Sequence, residues 1–470
     1  MREAEPGSAK SMLWAPQAWI GGAWQPEVLL HIGADGRWGR IEPGIGKPPE
    51  GAEIAAGPLL PGLVDAHGHA FQRAFAGLAE RRESEADDFW SWRDRMYQVA
   101  LRITPGQLRA VAAHLYVELL RGGYTQMCEF HYLQHDVDGR PYGDPLATSW
   151  ALADAAADAG IGLTMLPVLY ERAGFAQPAL RDDQRRFATD ADAVWNAARR
   201  LNEARRPLLD AGVAIHSLRA AAPASIHRLR ALAEAGTGPI HIHVAEQTAE
   251  VDDCLAATGM RPIEWLARER LLDARWQLVH ATHALPGEID AVARCGAGVV
   301  ICPSTEANLG DGLPDLPRWL DAGVPISIGS DSHVTRAWRE ELRWLDYTQR
   351  LVQRRRNVSA APQRGEPSTA AHLFERALQG SAAAIGAPRW GLVEGARADA
   401  LVVDMHDASL LGVPADRLLD ALVFSSPGRP WRDVMVAGRW VVHDHRHAAA
   451  PALAHGFAVA MHGLWSDAPR

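Results

Sequence analysis

Residues 61–73 read Pro61-Gly62-Leu63-Val64-Asp65-Ala66-His67-Gly68-His69-Ala70-Phe71-Gln72-Arg73. An apolar run ends in two histidines one residue apart. In a β-strand the side chains at i and i+2 share a face, so His67 and His69 turn toward one point. A divalent metal needs that convergence of imidazoles. A His-X-His pair can also merely decorate a strand end, and a chain with 20 histidines holds some close pairs by chance. The rest of the sequence decides between the two readings, because matching ligands recur at the ends of later strands.

Strand-like runs cover 60–67, 124–131, 162–170, 212–218, 239–246, 276–283, 296–303 and 325–332, each closing on polar residues. Helix-like stretches lie between them. The stretch 104–121 opens Thr104-Pro105, a cap followed by proline in the first turn, and stops at Gly122-Gly123. Strands alternating with helices in this way predict an α/β fold, a parallel (β/α)8 TIM-like barrel, with chemistry at the C-terminal ends of the strands. Short strand-like segments also flank the barrel, at 14–20, 28–32 and 38–41 and again at 400–403, 433–436 and 439–442. Each end alone has too few strands to bury a core, so the two are expected to pair into one small discontinuous β-sandwich. The expected division is 1–58 and 393–470 for the sandwich and 59–392 for the barrel. Residues 354–368 are read as an exposed loop.

Composition narrows the class. Of 470 residues, 47% are apolar and 22% charged, ordinary for a globular protein. Net charge is −9 with no basic stripe, which argues against nucleic acid as a partner. Cys128, Cys254, Cys295 and Cys302 are scattered without a CxxC pair, as suits a reducing cytosol. No export signal and no membrane-length apolar run is evident. A cytoplasmic protein acting on a small molecule is expected.

The strand ends carry the chemistry. The fifth run ends His241-Ile242-His243-Val244-Ala245-Glu246, and of its two histidines the one nearer the end, His243, reaches a site at the barrel mouth. Glu246 turns over the top, where it can touch substrate without binding metal. The sixth ends Val279-His280-Ala281-Thr282-His283 and the eighth Gly329-Ser330-Asp331-Ser332-His333. His67, His69, His243 and Asp331 make a set of three His and one Asp that leaves a position for water, the open arrangement of a hydrolytic metal. Such a set holds a divalent ion without fixing which, and accepts Fe(II) among others.

Several segments are similar to the amidohydrolase superfamily and, within it, to the formimidoylglutamate deiminases. They are His67-Gly-His69-Ala-Phe-Gln72-Arg73, Asp88-Phe-Trp-Ser-Trp-Arg93-Asp-Arg-Met-Tyr97, Glu129-Phe-His-Tyr132, His216-Ser-Leu-Arg219, His241-Ile-His243-Val-Ala-Glu246-Gln, Val279-His280-Ala-Thr-His283 and Ser330-Asp331-Ser-His333. The resemblance implies a mononuclear zinc enzyme, a homodimer, that hydrolyses N-formimino-L-glutamate to N-formyl-L-glutamate and ammonia in histidine degradation. The fourth run ends in His216 and supplies no lysine of the binuclear kind. Within that chemistry Asp331 coordinates and takes the water's proton, His280 orients the water and stabilises developing charge, and Glu246 carries a proton to the leaving nitrogen. Gln72 can hold the formimino group. Arg219, with His216 beside it, can grip one substrate carboxylate, and Tyr132 and Arg93 the other. Arg93 can alternatively stack on Trp90 and Trp92. His283 and His333 are read as supporting residues.

Two competitors remain. Another deaminase of the superfamily, acting on a purine, pterin or triazine ring, calls for an aromatic slot instead of carboxylate clamps. A metal-free barrel scaffold would have lost ligands that this chain keeps.

Overall fold

The computed structural model describes residues 11–80 and 89–466. Eight strands run parallel, each beside its neighbour in sequence: β1 Leu63–Gly68, β2 Tyr124–His131, β3 Gly162–Leu169, β4 Val213–Ile215, β5 Ile240–Val244, β6 Trp276–His280, β7 Gly298–Ile301 and β8 Ile326–Ile328. Every residue of β2 and β3 is buried, because both faces of the sheet are covered, by helices outside and by packed side chains inside. The ring closes just beyond β8. Asp331 N–H donates to the His67 carbonyl at 2.9 Å, His69 N–H donates to the Asp331 carbonyl at 3.3 Å, and a parallel bridge joins Gly68 to Asp331. The seam of the barrel is therefore made by the residues that carry candidate ligands.

Local rules place the helices. Pro105–Gly122 opens on a reciprocal cap in which Thr104 Oγ1 accepts the Gln107 N–H while Gln107 Oε1 accepts the Thr104 N–H. It ends at Gly123, whose φ of 94° suits glycine. The run expected over 276–283 stops as a strand at His280, because His280 and Ala281 turn to φ 68° and 48°. The fourth run is shorter still, reduced to β4, and a separate strand, Leu209–Ala211, precedes it and pairs with β3.

The two ends of the chain meet in one eight-stranded mixed sheet. Ser11–Ile20, Ala23–Ile32 and Trp38–Glu42 form its N-terminal side, and Ala400–Val403, Trp431–Val436 and Arg439–Val442 its C-terminal side. Leu59–Leu60 joins them, parallel to the first and antiparallel to Ala400–Val403, and then leads straight into β1. This sheet has its own core around Leu13, Leu30, Trp38 and Val402. Beyond Val442 the chain returns to the barrel as helix Ala450–Trp465, which packs on Pro105–Gly122 and whose Trp465 Nε1 donates to the Ala74 carbonyl at 3.0 Å. Residues 354–368 are mostly exposed, around a short 3-10 turn at Pro362–Arg364. Among the described residues no helix is long and apolar enough to cross a membrane.

Candidate active site

His67, His69, His243 and Asp331 converge at the mouth of the barrel. His67 Nε2 lies 3.0 Å from His243 Nε2 and 3.4 Å from Asp331 Oδ1, and His69 Nε2 is also 3.4 Å from Asp331 Oδ1. The far ring nitrogens are already committed. His69 Nδ1–H donates to the Phe130 carbonyl at 2.8 Å and His243 Nδ1–H to the His216 carbonyl at 3.0 Å. A carbonyl only accepts, so these bonds leave both Nε2 atoms as bare lone pairs turned inward. Burial holds all three rings neutral: His67 is pushed down to about 3, and His69 and His243 lie below the ordinary histidine range. Asp331 stays ionised although burial opposes it, because hydrogen bonding to His67 and the positive charge of His280 hold its carboxyl below the usual range. Neutral imidazoles facing one carboxylate oxygen form a donor set for a divalent ion, and ligands of a tetrahedral zinc at about 2.0–2.1 Å would sit about 3.3 Å apart. The spacings found fit such an ion.

The opposite oxygen of Asp331 faces other chemistry. Oδ2 is 3.9 Å from His280 Nε2, and Glu246 Oε1 is 3.8 Å from the same nitrogen. Glu246 follows β5 at a turn where Ala245 has φ 51°, and Glu250 holds that turn by accepting the N–H groups of Ala245 and Glu246 at 3.3 and 3.1 Å. Burial pushes the Glu246 carboxyl up to about 7. His280 feels the same burial, but Glu246, a hydrogen bond to Glu306 at 3.4 Å and Asp331 overcome it and lift the ring to about 10. Ala245, His280, Ala281, Asp331 and His333 all have positive φ, at a cost on the order of 1–3 kcal/mol each. Backbone strain is concentrated where the side chains must be aimed.

One cavity joins these groups to the expected substrate residues. His69, Gln72, Arg93, Tyr132, His216, Arg219, His243, Glu246, His280 and Asp331 all line it, and His67 lies buried beneath. Gln72 Nε2 donates to Tyr132 Oη at 3.3 Å, and Gln72 Oε1 is buried without a partner. Arg219 makes none of the protein's ion pairs among the described residues. Arg93 places its Cζ 5.6 Å over the Tyr97 ring. Stacking on Trp90 falls outside the described side chains. His241 points away and meets the Ala384 carbonyl at 2.8 Å. His333 bridges Ser330 Oγ and the His69 carbonyl, and His283 Nε2 is buried without a partner.

Sequence reasoning missed four residues that shape the site: Tyr97, Tyr170, Gln184 and Glu306. Two left a trace, since Tyr97 closes the 88–97 segment and Tyr170 ends the third strand-like run. Gln184 and Glu306 left none.

A parallel barrel with a metal-ligand set at its strand ends and a buried acid beside it defines a metal-dependent hydrolase. The chain belongs to the amidohydrolase family, which it matches over residues 59–441. It is 46% identical to formimidoylglutamate deiminase of Pseudomonas aeruginosa, over 95% of this chain and 98% of that one. It is 28% identical to 5-methylthioadenosine/S-adenosylhomocysteine deaminase of Halobacterium salinarum, over 85% of each chain. The crystal structure of an amidohydrolase from Brucella melitensis superposes with a TM-score of 0.91 at 41% identity, covering 97% of this chain and all of that one.

Proposed function

We propose that this chain hydrolyses the C=N group of N-formimino-L-glutamate, giving N-formyl-L-glutamate and ammonia, as a step of histidine degradation. The observation that carries the reading is the polarity of the cavity. Asp331 and Glu246 line it together with Arg93 and Arg219, acids for a basic formimino group and guanidinium groups for two carboxylates. The 46% identity to formimidoylglutamate deiminase over nearly the whole chain supports the same substrate.

His67, His69, His243 and Asp331 would hold the metal, and we assign zinc from this nitrogen and oxygen donor set. A bound divalent ion supplies Lewis acidity and lowers the pKa of water from about 15.7 to roughly 7. Asp331 uses Oδ1 toward the metal position and Oδ2 to take the proton of the attacking water. His280, beside Oδ2, orients that water and stabilises the charge that develops as it adds to the formimino carbon. Glu246 delivers a proton to the departing nitrogen, so that the C–N bond breaks and ammonia leaves. A carboxyl held near neutrality can both receive and return that proton. Gln72, fixed by Tyr132, holds the formimino group in register. Arg219 with His216 takes one carboxylate, and Arg93 with Tyr132 the other. The reading includes a cytoplasmic homodimer, which sedimentation of the purified protein checks.

Ammonia release from N-formimino-L-glutamate, adenosine and guanine tests the proposal. Turnover of the first alone supports it; turnover confined to a ring substrate overturns it.

A further inference from the structure

Gln184 belongs to the 3-10 helix Asp182–Phe187 and is 1% exposed. Its partners fix which way its amide points. Oε1 accepts the Arg181 N–H at 3.1 Å, so the NH2 faces Tyr170 Oη at 2.9 Å and Tyr97 Oη at 3.4 Å. An amide NH2 only donates. Both hydroxyls therefore accept from Gln184 and must place their own protons elsewhere. A hydrogen bond between the two tyrosines uses one of those protons at most. Among the described residues no carboxylate or carbonyl takes the other. Burial lifts the Tyr170 hydroxyl above its ordinary range and so keeps it a donor.

Both rings line the cavity, and His216 stands between Tyr170 and the candidate ligand His243, its ring centre 5.1 Å from that of His243. Arg93 lies over Tyr97, the His216 ring centre is 4.3 Å from that of Tyr170, and Arg219 shares the same wall. The acids that line the cavity are Glu246 and Asp331, and among the described residues neither hydrogen-bonds to these tyrosines. This wall is thus built of donors.

We infer that Gln184 is a positioning residue for specificity: by donating to Tyr97 and Tyr170 it frees a hydroxyl proton for the cavity, making a wall that accepts a carboxylate and refuses the matching carboxamide. The inference rests on the substrate reading above. A carboxylate offers only acceptors to the two guanidinium groups and the tyrosines. A carboxamide turns its NH2 toward donors, leaving buried groups unpaired, and sites built this way discriminate strongly.

The test uses full-length, metal-loaded enzyme and ammonia release from N-formimino-L-glutamate and from its two monoamides. Wild type should prefer the diacid over at least one monoamide by about 10² or more. In Gln184→Glu the new carboxylate accepts from the tyrosines and draws their protons out of the cavity. That variant should lose about tenfold to a hundredfold in kcat/KM for the diacid, mainly through KM, while the preference over that monoamide collapses. Tyr170→Phe removes one donor without touching Gln184 and should lower the same ratio, which keeps the test open if Gln184→Glu folds poorly. Melting temperature and metal content report on folding. Equal losses on diacid and monoamide in both variants, or losses confined to kcat, would overturn the inference and leave the substrate reading standing. A wild type that releases no ammonia from the diacid would overturn both.

Discussion

Nε2 of His67 and Nε2 of His243 face each other 3.0 Å apart, brought together from β1 and β5 of the barrel. His243 has its other nitrogen bound to a carbonyl, and burial keeps both rings neutral. Two such nitrogens approach this closely only with a proton or a cation between them. Asp331 Oδ1, 3.4 Å from His67, favours the cation.

The first prediction is one divalent ion per chain. His67→Ala and Asp331→Ala should each lose it, and a strong chelator should abolish activity that zinc then restores. Metal quantification on purified protein checks the count. Two firmly held ions per chain would rule out the mononuclear site.

Glu246 should matter to turnover and not to metal. Its carboxyl reaches toward His280, at 3.8 Å, rather than into the ligand cluster. Glu246→Gln keeps the shape and removes the titrating group. Activity should fall by a factor of about 10²–10⁴ with metal content near wild type. Loss of the ion in this variant would make Glu246 a ligand instead.

The barrel and its ligands were legible in the sequence for a physical reason. Strand periodicity puts His67 and His69 on one face, and a parallel barrel gathers all strand ends at one mouth. Glu246, His280 and Asp331 follow from the same rule. Gln184 was not legible, because it sits in a 3-10 helix of 6 residues, too short to show a period, and reaches tyrosines 14 and 87 positions away in sequence. Glu306 likewise acts through helix Pro303–Leu309, whose seven residues are too few to show which face points at His280. The end of β6 was overread by three residues because positive φ at a histidine leaves no mark in hydropathy.

Gly329 should tolerate no side chain. A Cβ there would lie 2.7 Å from the His67 carbonyl oxygen and 3.0 Å from the His67 nitrogen, at the seam that closes the barrel. The obstacle is the backbone and Cβ of His67, so nothing flexible can yield. Gly329→Ala should therefore cost about 1–3 kcal/mol or more and shift His67 against its partners. Thermal melting and zinc affinity together measure this. Unchanged values for both would mean that the seam adjusts freely.

Arg219 sets the demand for an acidic substrate. It projects beside His216 beyond β4, lines the cavity, and has no carboxylate paired with it among the described residues. Glu246 and Glu250 act on it only at longer range, so the positive charge is left for a ligand. Removing one partner of a buried, hydrogen-bonded charge pair costs about 2–5 kcal/mol, and each 1.4 kcal/mol is roughly tenfold in affinity. Arg219 is only partly buried, which favours the lower part of that range. Arg219→Met should thus lower kcat/KM for N-formimino-L-glutamate by about a hundredfold, with folding and metal content intact. The loss should be much smaller for a formimino compound lacking the carboxylate that Arg219 holds. Equal losses on both compounds would assign Arg219 to the scaffold or the chemistry, and the carboxylate clamp would have to be sought at Arg93.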